Sequence, residues 1–303
     1  MTMDAQTASD RKRNMRRLSP TELKRPKESL RDRMSIILRS RVAIIGLVIV
    51  LFWVWVAIFA PVISVHDPLA QDATAINQGP SAQYLLGTDA LGRDVLARLA
   101  YGSRTILMLA PLSVLAAVIV GTFLGLVGGY FGGLVDEIVM RILDAIMAFP
   151  TILLYLIIIA AIGPSAINVV IAITFVGAPG VARLVRSLAL DIRVRDYIRA
   201  AELRGESPWY IMFFEILPNA RGPLIIDSML RVGYAIFAIG TLGFLGLGLP
   251  PPTPDWGGMI SAARKYIWTN PLSVLWPALA ISSLVVGLNL FADGLREEST
   301  RYQ

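Results

Sequence analysis

Apolar residues gather along the chain in six long runs, residues 42–63, 106–130, 138–162, 166–184, 223–249 and 272–291, separated by polar stretches rich in glycine, proline and charge. Crossing a bilayer as a helix takes about 20 apolar residues, so each run is a candidate span. Inside hydrocarbon every backbone N–H and C=O must be paired, which leaves helices and closed barrels as spanning structures. Barrel strands would read as short alternating segments, unlike these runs. The pattern predicts an all-α integral membrane protein of six transmembrane helices. The first run is too long for a signal-peptide core, and its basic flank reads as an uncleaved anchor. The organisation that follows is a basic tail over 1–41, an anchor helix over 42–63 and an external segment over 64–105. A five-helix core then covers 106–293, with a polar loop over 190–220, and a short tail closes the chain over 294–303.

Composition fits a lipid-solvated chain. Of 303 residues 55% are hydrophobic and 17% charged, with a mean hydropathy of +0.63; soluble domains carry nearer a quarter charged residues. The lack of cysteine excludes disulfides and thiolate metal sites, and the single histidine, His66, excludes a multi-histidine metal site. His66 reads as a solvated loop side chain.

Charge sets the expected orientation. Twelve basic and five acidic residues give the tail over 1–41 a net +7, against +6 for the whole chain. Arg183, Arg186, Arg193, Arg195, Arg204 and Arg221 flank or occupy the polar loop, while the opposite side has only Arg93, Arg98, Arg104, Arg264 and Lys265. Basic residues favour the cytoplasmic side, which places both termini and the loop there. Beside a membrane helix, a basic tail signals topology and affinity for anionic lipid, not nucleic acid.

The polar loop has internal structure. Val194, Tyr197, Ile198 and Ala201 follow i, i+3, i+4, i+7, one face of a helix, with Arg195, Arg199, Glu202 and Arg204 mostly elsewhere around it. Gly205 suits the left-handed position that ends helices. Ser207 then offers a hydroxyl cap and Pro208 a first helical position. The stretch PWYIMFFEIL is too short to span, and Pro218 is expected to end it. The result is two short helices about a glycine turn, lying on the membrane surface. Such a pair either merely connects two spans or docks a soluble partner, whose groove the charged face and small alanines would suit.

The loop RAAELRG, followed by ILP, resembles the cytoplasmic loop shared by permease subunits of ABC importers. That loop reads Glu-Ala-Ala, three residues, Gly, nine residues, then Ile-x-Leu-Pro. Ala200, Ala201, Gly205, Leu217 and Pro218 stand at the matching positions, while Arg199 replaces the glutamate and Glu215 the isoleucine. LLGTDALGRDVLARLAYGSR, LGFLGLGLPPPTPDWGGMISAARKY and NLFADGLRE are similar to segments of the dipeptide, oligopeptide and nickel importer group, in its smaller, C-type permease. The resemblance runs from about Arg41 to Glu297. It implies a type I ABC importer permease bundle that pairs with a second permease. Two cytoplasmic ATPases would dock on the coupling loops, and an extracytoplasmic binding protein would deliver di- or oligopeptides, with nickel chelates or sugars as alternatives. The implied coupling residues are Arg199, Ala200, Ala201, Glu202, Gly205, Glu206, Ser207, Leu217 and Pro218. The chain contains no G-x-x-x-x-G-K-[ST] phosphate loop, so no cofactor is expected in it; ATP and magnesium would be bound by the partner ATPases.

Polar residues inside the spans are the remaining candidates. Asp144, in the third run, is expected to pair with Arg141 on the same face. Pro150 should kink that helix. Asp227 and Arg231, spaced i, i+4 early in the fifth run, read as a pair near the cytoplasmic interface. Asn168 and Asn289 would join helices or contact substrate. Gly121, Gly125 and Gly129, and likewise Gly240, Gly243 and Gly246, allow close helix approach. GGYFGG, residues 128–133, reads as a turn. Trp256 could touch the binding protein or anchor at the interface. A channel or secondary transporter would share the six spans, but should carry coupling charges at mid-membrane, where these runs are nearly bare.

Overall fold

The computed structural model of the chain describes residues 40–301, with side chains through Arg296. The basic tail over 1–39 and the last two residues therefore lie outside it. Among the described residues the fold is helical, with one isolated bridge between Thr88 and Asp94. Five helices are long and apolar enough to cross a membrane singly: α1 (Arg41–Ile63), α2 (Val95–Phe131), α5 (Ala166–Arg193), α7 (Pro208–Phe244) and α9 (Leu272–Arg301). The sixth candidate span is a broken pair, α3 (Gly133–Met147) and α4 (Thr151–Ile162), bent by 90°. Two short helices complete the fold, α6 (Asp196–Leu203) and α8 (Trp256–Ala263).

The run over 138–162 is thus not one helix. Pro150 cannot continue an α-helix in register, and the chain turns there rather than merely bending. A second break precedes it at Gly132 and Gly133, both at positive φ (66° and 52°), which only glycine adopts without strain. GGYFGG is accordingly helical to Phe131, and the turn is confined to its last two glycines. Helix α2 begins at Val95, before the apolar run starts, because Asp94 accepts from Leu96 N–H and Ala97 N–H and caps it.

The fifth span also differs from expectation. Pro218 does not end the preceding helix: the chain runs on from Pro208 through a π-helical turn, Ile211–Ile216, into Leu217–Phe244. Leu217 N–H reaches back five residues to Met212 O. A regular turn would drive the proline ring into the carbonyl four residues earlier, and the widened turn relieves that clash.

Helices α2 and α5 form the most extensive pair in the bundle. Their seam is built on Gly121, Gly125 and Gly129, which lie against Ala178, Val181, Ala182, Val185 and Ala189. These glycines close the chain's own bundle. Gly240 and Gly243 likewise admit Gly257, Gly258 and Asp255, whereas Gly246 is a turn residue at φ +80°. One apolar core fills the bundle around Trp53, Ile159, Ile236, Leu242, Trp256 and Leu284. A second lies at the loop end, around Leu126, Val185, Ile192, Ile198, Ile211, Met212 and Ile216.

Candidate functional site

Three regions hold the chemistry: the helix–turn–helix at one end, a cavity within the bundle, and a folded cap at the opposite end. In the first, α6 presents Ile198 and Ala201 inward, both fully buried, against the second core. Its end is locked by paired bonds: Gly205 N–H donates to Glu202 O at 2.9 Å and Glu206 N–H to Ala201 O at 3.2 Å. This Schellman arrangement places Gly205 at φ +80°. Ser207 Oγ then accepts from Tyr210 N–H at 3.2 Å, capping the next helix, with Pro208 at its first position. Ile211, Met212 and Ile216 are fully buried beside Ile198. Trp209 stacks on Phe123 of α2 at 6.1 Å and on Phe213 at 6.4 Å, fastening the second helix to the end of α2.

Arg199, Ala200, Glu202, Leu203 and Ser207 face outward. Leu203, 89% exposed at the tip, is the residue sequence reasoning missed. It lies off the periodic apolar face, and that displacement was the available signal. Among the two departures from the family pattern, Arg199 makes no ion pair among the described residues. Glu215 has a place: Arg204 lies 3.8 Å from it and 3.7 Å from Glu206, so one guanidinium spans the turn and the second helix.

The cavity, about 440 Å³, is lined by α2, α4, α5 and α7, including Ala117, Thr151, Tyr155, Gly177, Arg231, Tyr234 and Thr241. Arg231 lies midway along Leu217–Phe244. Its guanidinium grips Asp227 with Nε and one terminal nitrogen, and the other terminal nitrogen points to Gly177 O at 3.4 Å. Gly180 makes the room, since a Cβ there would lie 2.9 Å from Arg231. The ion pair expected from the i, i+4 spacing of Asp227 and Arg231 is therefore present, and Arg231 lines the cavity. Asn289 sits against Gly233, between α9 and α7. Asn168 Nδ2 donates to Ile162 O at 2.9 Å and Gly163 O at 2.8 Å, closing the end of α4 on the start of α5.

Asp144 does not pair with Arg141. Arg183 of α5 reaches Asp144, while Arg141 bonds Glu137 at 2.9 Å on its own helix face. Arg186 of α5 also holds Asp136, so two ion pairs strap α3 to α5. The i, i+4 partner and the neighbouring helix together outcompete the i, i+3 pairing. Both members of the Asp144–Arg183 pair are about half exposed, and a double-mutant cycle of Asp144→Asn with Arg183→Gln should give a coupling of roughly 0.2–1 kcal/mol. The same cycle with Arg141→Gln should be additive. Thermal unfolding of the purified variants checks both, and the reverse ranking would contradict the assignment.

The cap is the segment over 64–94 with the loop before α8. His66 is not a free solvated side chain: Nδ1 meets Asp94 at 2.8 Å and the ring lies 4.8 Å from Tyr84. Asp72 accepts from Thr74 N–H, Thr74 Oγ and Tyr84 Oη, and these bonds hold its carboxyl below the ordinary range. Arg98 donates to Pro68 O at 3.2 Å and Pro252 O at 3.4 Å, joining the two cap segments. Trp256, 1% exposed, donates to Leu99 O at 2.9 Å and sits edge-on to Trp53 at 4.8 Å. A side chain so enclosed offers nothing to an external partner, and it is neither a docking contact nor an interfacial anchor.

Asp255 caps α8 by accepting from Gly257 N–H and Gly258 N–H. Burial nevertheless pushes its carboxyl up to about 6, against those bonds and the charge of Arg98, which pull it down. A carboxyl that holds its proton more tightly folded than unfolded costs stability when ionised. The cost is full above about 6 and fades as pH falls towards the ordinary 3.8. Asp255→Asn removes the charge but keeps only one acceptor oxygen, so its stability relative to wild type should be higher at neutral pH than at pH 4, by about 1–3 kcal/mol. Unfolding of the solubilised chain across that range checks it; a pH-independent difference would contradict it.

A membrane bundle with a surface helix–turn–helix planted between two of its spans is the architecture of a transporter permease. Residues 117–297 match the family described as binding-protein-dependent transport system inner membrane component, and residues 30–80 match the N-terminal TM domain of oligopeptide transport permease C. The chain belongs to this family of inner membrane transport components. It is 41% identical to the dipeptide transport system permease protein DppC of Alkalihalophilus pseudofirmus, over 86% of this chain and 85% of the relative. It is 38% identical to the DppC of Haemophilus influenzae, over 90% and 94% of the two chains. It is also 38% identical to the glutathione transport system permease protein GsiD of Pectobacterium atrosepticum, over 86% and 87%.

Proposed function

We propose that this chain is a permease subunit of an ATP-driven importer of short peptides. It forms half of the pathway with a homologous second permease, and its loop over 190–220 docks on one of two cytoplasmic ATPases that bind ATP and magnesium. The observation that carries this reading is the helix–turn–helix itself: its inner face is buried beneath α2 and α5, while Arg199, Ala200, Glu202 and Leu203 are left on an exposed tip. Force applied at such a tip reaches the spans through packed side chains, as alternating access requires. The excess of basic residues in the tail and loop favours a cytoplasmic position for both termini. An extracytoplasmic binding protein then meets the capped end. Relatives named for dipeptide, di/tripeptide and glutathione transport support a peptide substrate over nickel chelates or sugars. Proteoliposomes holding the complete complex and its binding protein should accumulate a labelled dipeptide only with ATP. ATP-independent uptake would favour a secondary transporter instead.

A further inference from the structure

Arg104 is a cation that the described fold leaves half used. It sits on α2 beside α1, which carries Pro61 in its last turn. Proline has no N–H, so the carbonyl four residues earlier, Ala57 O, loses its helical donor. Arg104 Nε supplies the missing bond at 2.7 Å. The guanidinium lies 5.5 Å from the Tyr101 ring. Among the described residues no carboxylate pairs with Arg104, and its two terminal nitrogens meet no acceptor.

That is an expensive arrangement inside a membrane, where an arginine without a counter-charge is rare. Depth explains how it is tolerated. Ala57 is six residues from the end of α1 at Ile63, about 9 Å at 1.5 Å per residue, so the guanidinium is within reach of the headgroup layer. Below it a groove of about 660 Å³ runs between α1, α2, α7 and α9 towards the middle of the bundle. Its walls include Val54, Ile58, Leu107, Met108, Val232 and Leu288, and Arg104 is the single charge among the residues lining it.

We propose that this groove holds an anionic phospholipid, with its phosphate on the terminal nitrogens of Arg104 and an acyl chain along the apolar walls. An arginine fork matches phosphate oxygens, and the headgroup supplies the counter-charge that the protein lacks there. The groove distinguishes a lipid from free phosphate, because only a lipid fills both parts. The seated chain would also brace α1 against α2 and α7. This goes beyond the transport reading and does not depend on the peptide being the substrate.

The test uses the complete transporter complex in nanodiscs of equimolar phosphatidylglycerol and phosphatidylcholine, then native mass spectrometry of lipids retained after detergent extraction. Wild type should keep phosphatidylglycerol on this chain with roughly fivefold preference, the factor expected for one arginine at an anionic headgroup. Arg104→Gln should lose the preference, and Arg104→Lys, which keeps the charge, should retain part of it. Met108→Trp should expel the lipid while leaving Arg104 in place. Equal retention by wild type, Arg104→Gln and Met108→Trp would overturn the proposal. So would protection of Met108→Cys from a membrane-soluble maleimide only when the second permease is present, since the partner would then cover the groove. Should Arg104→Gln fail to assemble, Arg104→Lys and Met108→Trp decide the matter alone.

Discussion

A transporter complex carrying Gly205→Val is expected to assemble in the membrane and to lose substrate-stimulated ATP hydrolysis, and uptake with it. Gly205 stands at φ +80° in the turn between α6 and the second loop helix. A Cβ there would meet nothing within 4 Å, so the substitution strains the backbone without any steric clash. The left-handed conformation costs an ordinary residue about 1–2 kcal/mol, and valine more through its branched side chain. The spans bury far more than that, so the bundle survives while the turn relaxes away from its paired bonds. Gly205→Asn supplies the control, because asparagine visits this conformation readily and should keep most of the coupling. Loss of assembly would place the effect in folding, and full stimulation by Gly205→Val would remove the turn from the coupling account.

The second large effect is expected at the α2–α5 seam. A Cβ on Gly125 would lie 2.5 Å from Ala182 O and 2.8 Å from Val185 Cβ. The first of these is backbone, so the helices themselves must separate. Overpacking of this kind costs about 1–3 kcal/mol for a single methyl, and Gly125→Leu should exceed it and abolish folded yield. Gly222→Ala is the contrast: a Cβ there meets nothing within 4 Å, and in a helix the change should be neutral or stabilising by up to about 1 kcal/mol. Fluorescence-detected size exclusion and thermal unfolding rank the variants. Equal behaviour of Gly125→Ala and Gly222→Ala would contradict the seam.

Much of this was legible because membrane helices announce themselves locally. Run length gave the spans, Pro150 marked a break, and Gly205 with Ser207 and Pro208 marked the loop's turn and second start. What escaped was set by contacts between distant segments. Asp144 had a plausible neighbour at i−3, yet its partner comes from α5, thirty-nine residues on. Trp256 looked like an exposed aromatic among prolines, but its ring fills the space above Gly102 and finds a carbonyl on α2. Pro218 read as a terminator because a regular helix was assumed; a π turn carries the chain through it. Gly180 on α5 makes the space that Arg231 occupies. Spacing along one helix gives the Asp227–Arg231 pair, but not the partners of Asp144 and Trp256, which come from other helices.

In the proposed transporter the exposed tip of α6 meets an ATPase. The chain has no cysteine of its own, so a single one introduced at Ala200 reports cleanly. In the assembled complex, a short bifunctional maleimide–photocrosslinker at Ala200→Cys should join this chain to an ATPase subunit. The same reagent at Thr253→Cys, in the loop at the opposite end, should not. Crosslinking to the ATPase from Thr253→Cys and none from Ala200→Cys would contradict the account.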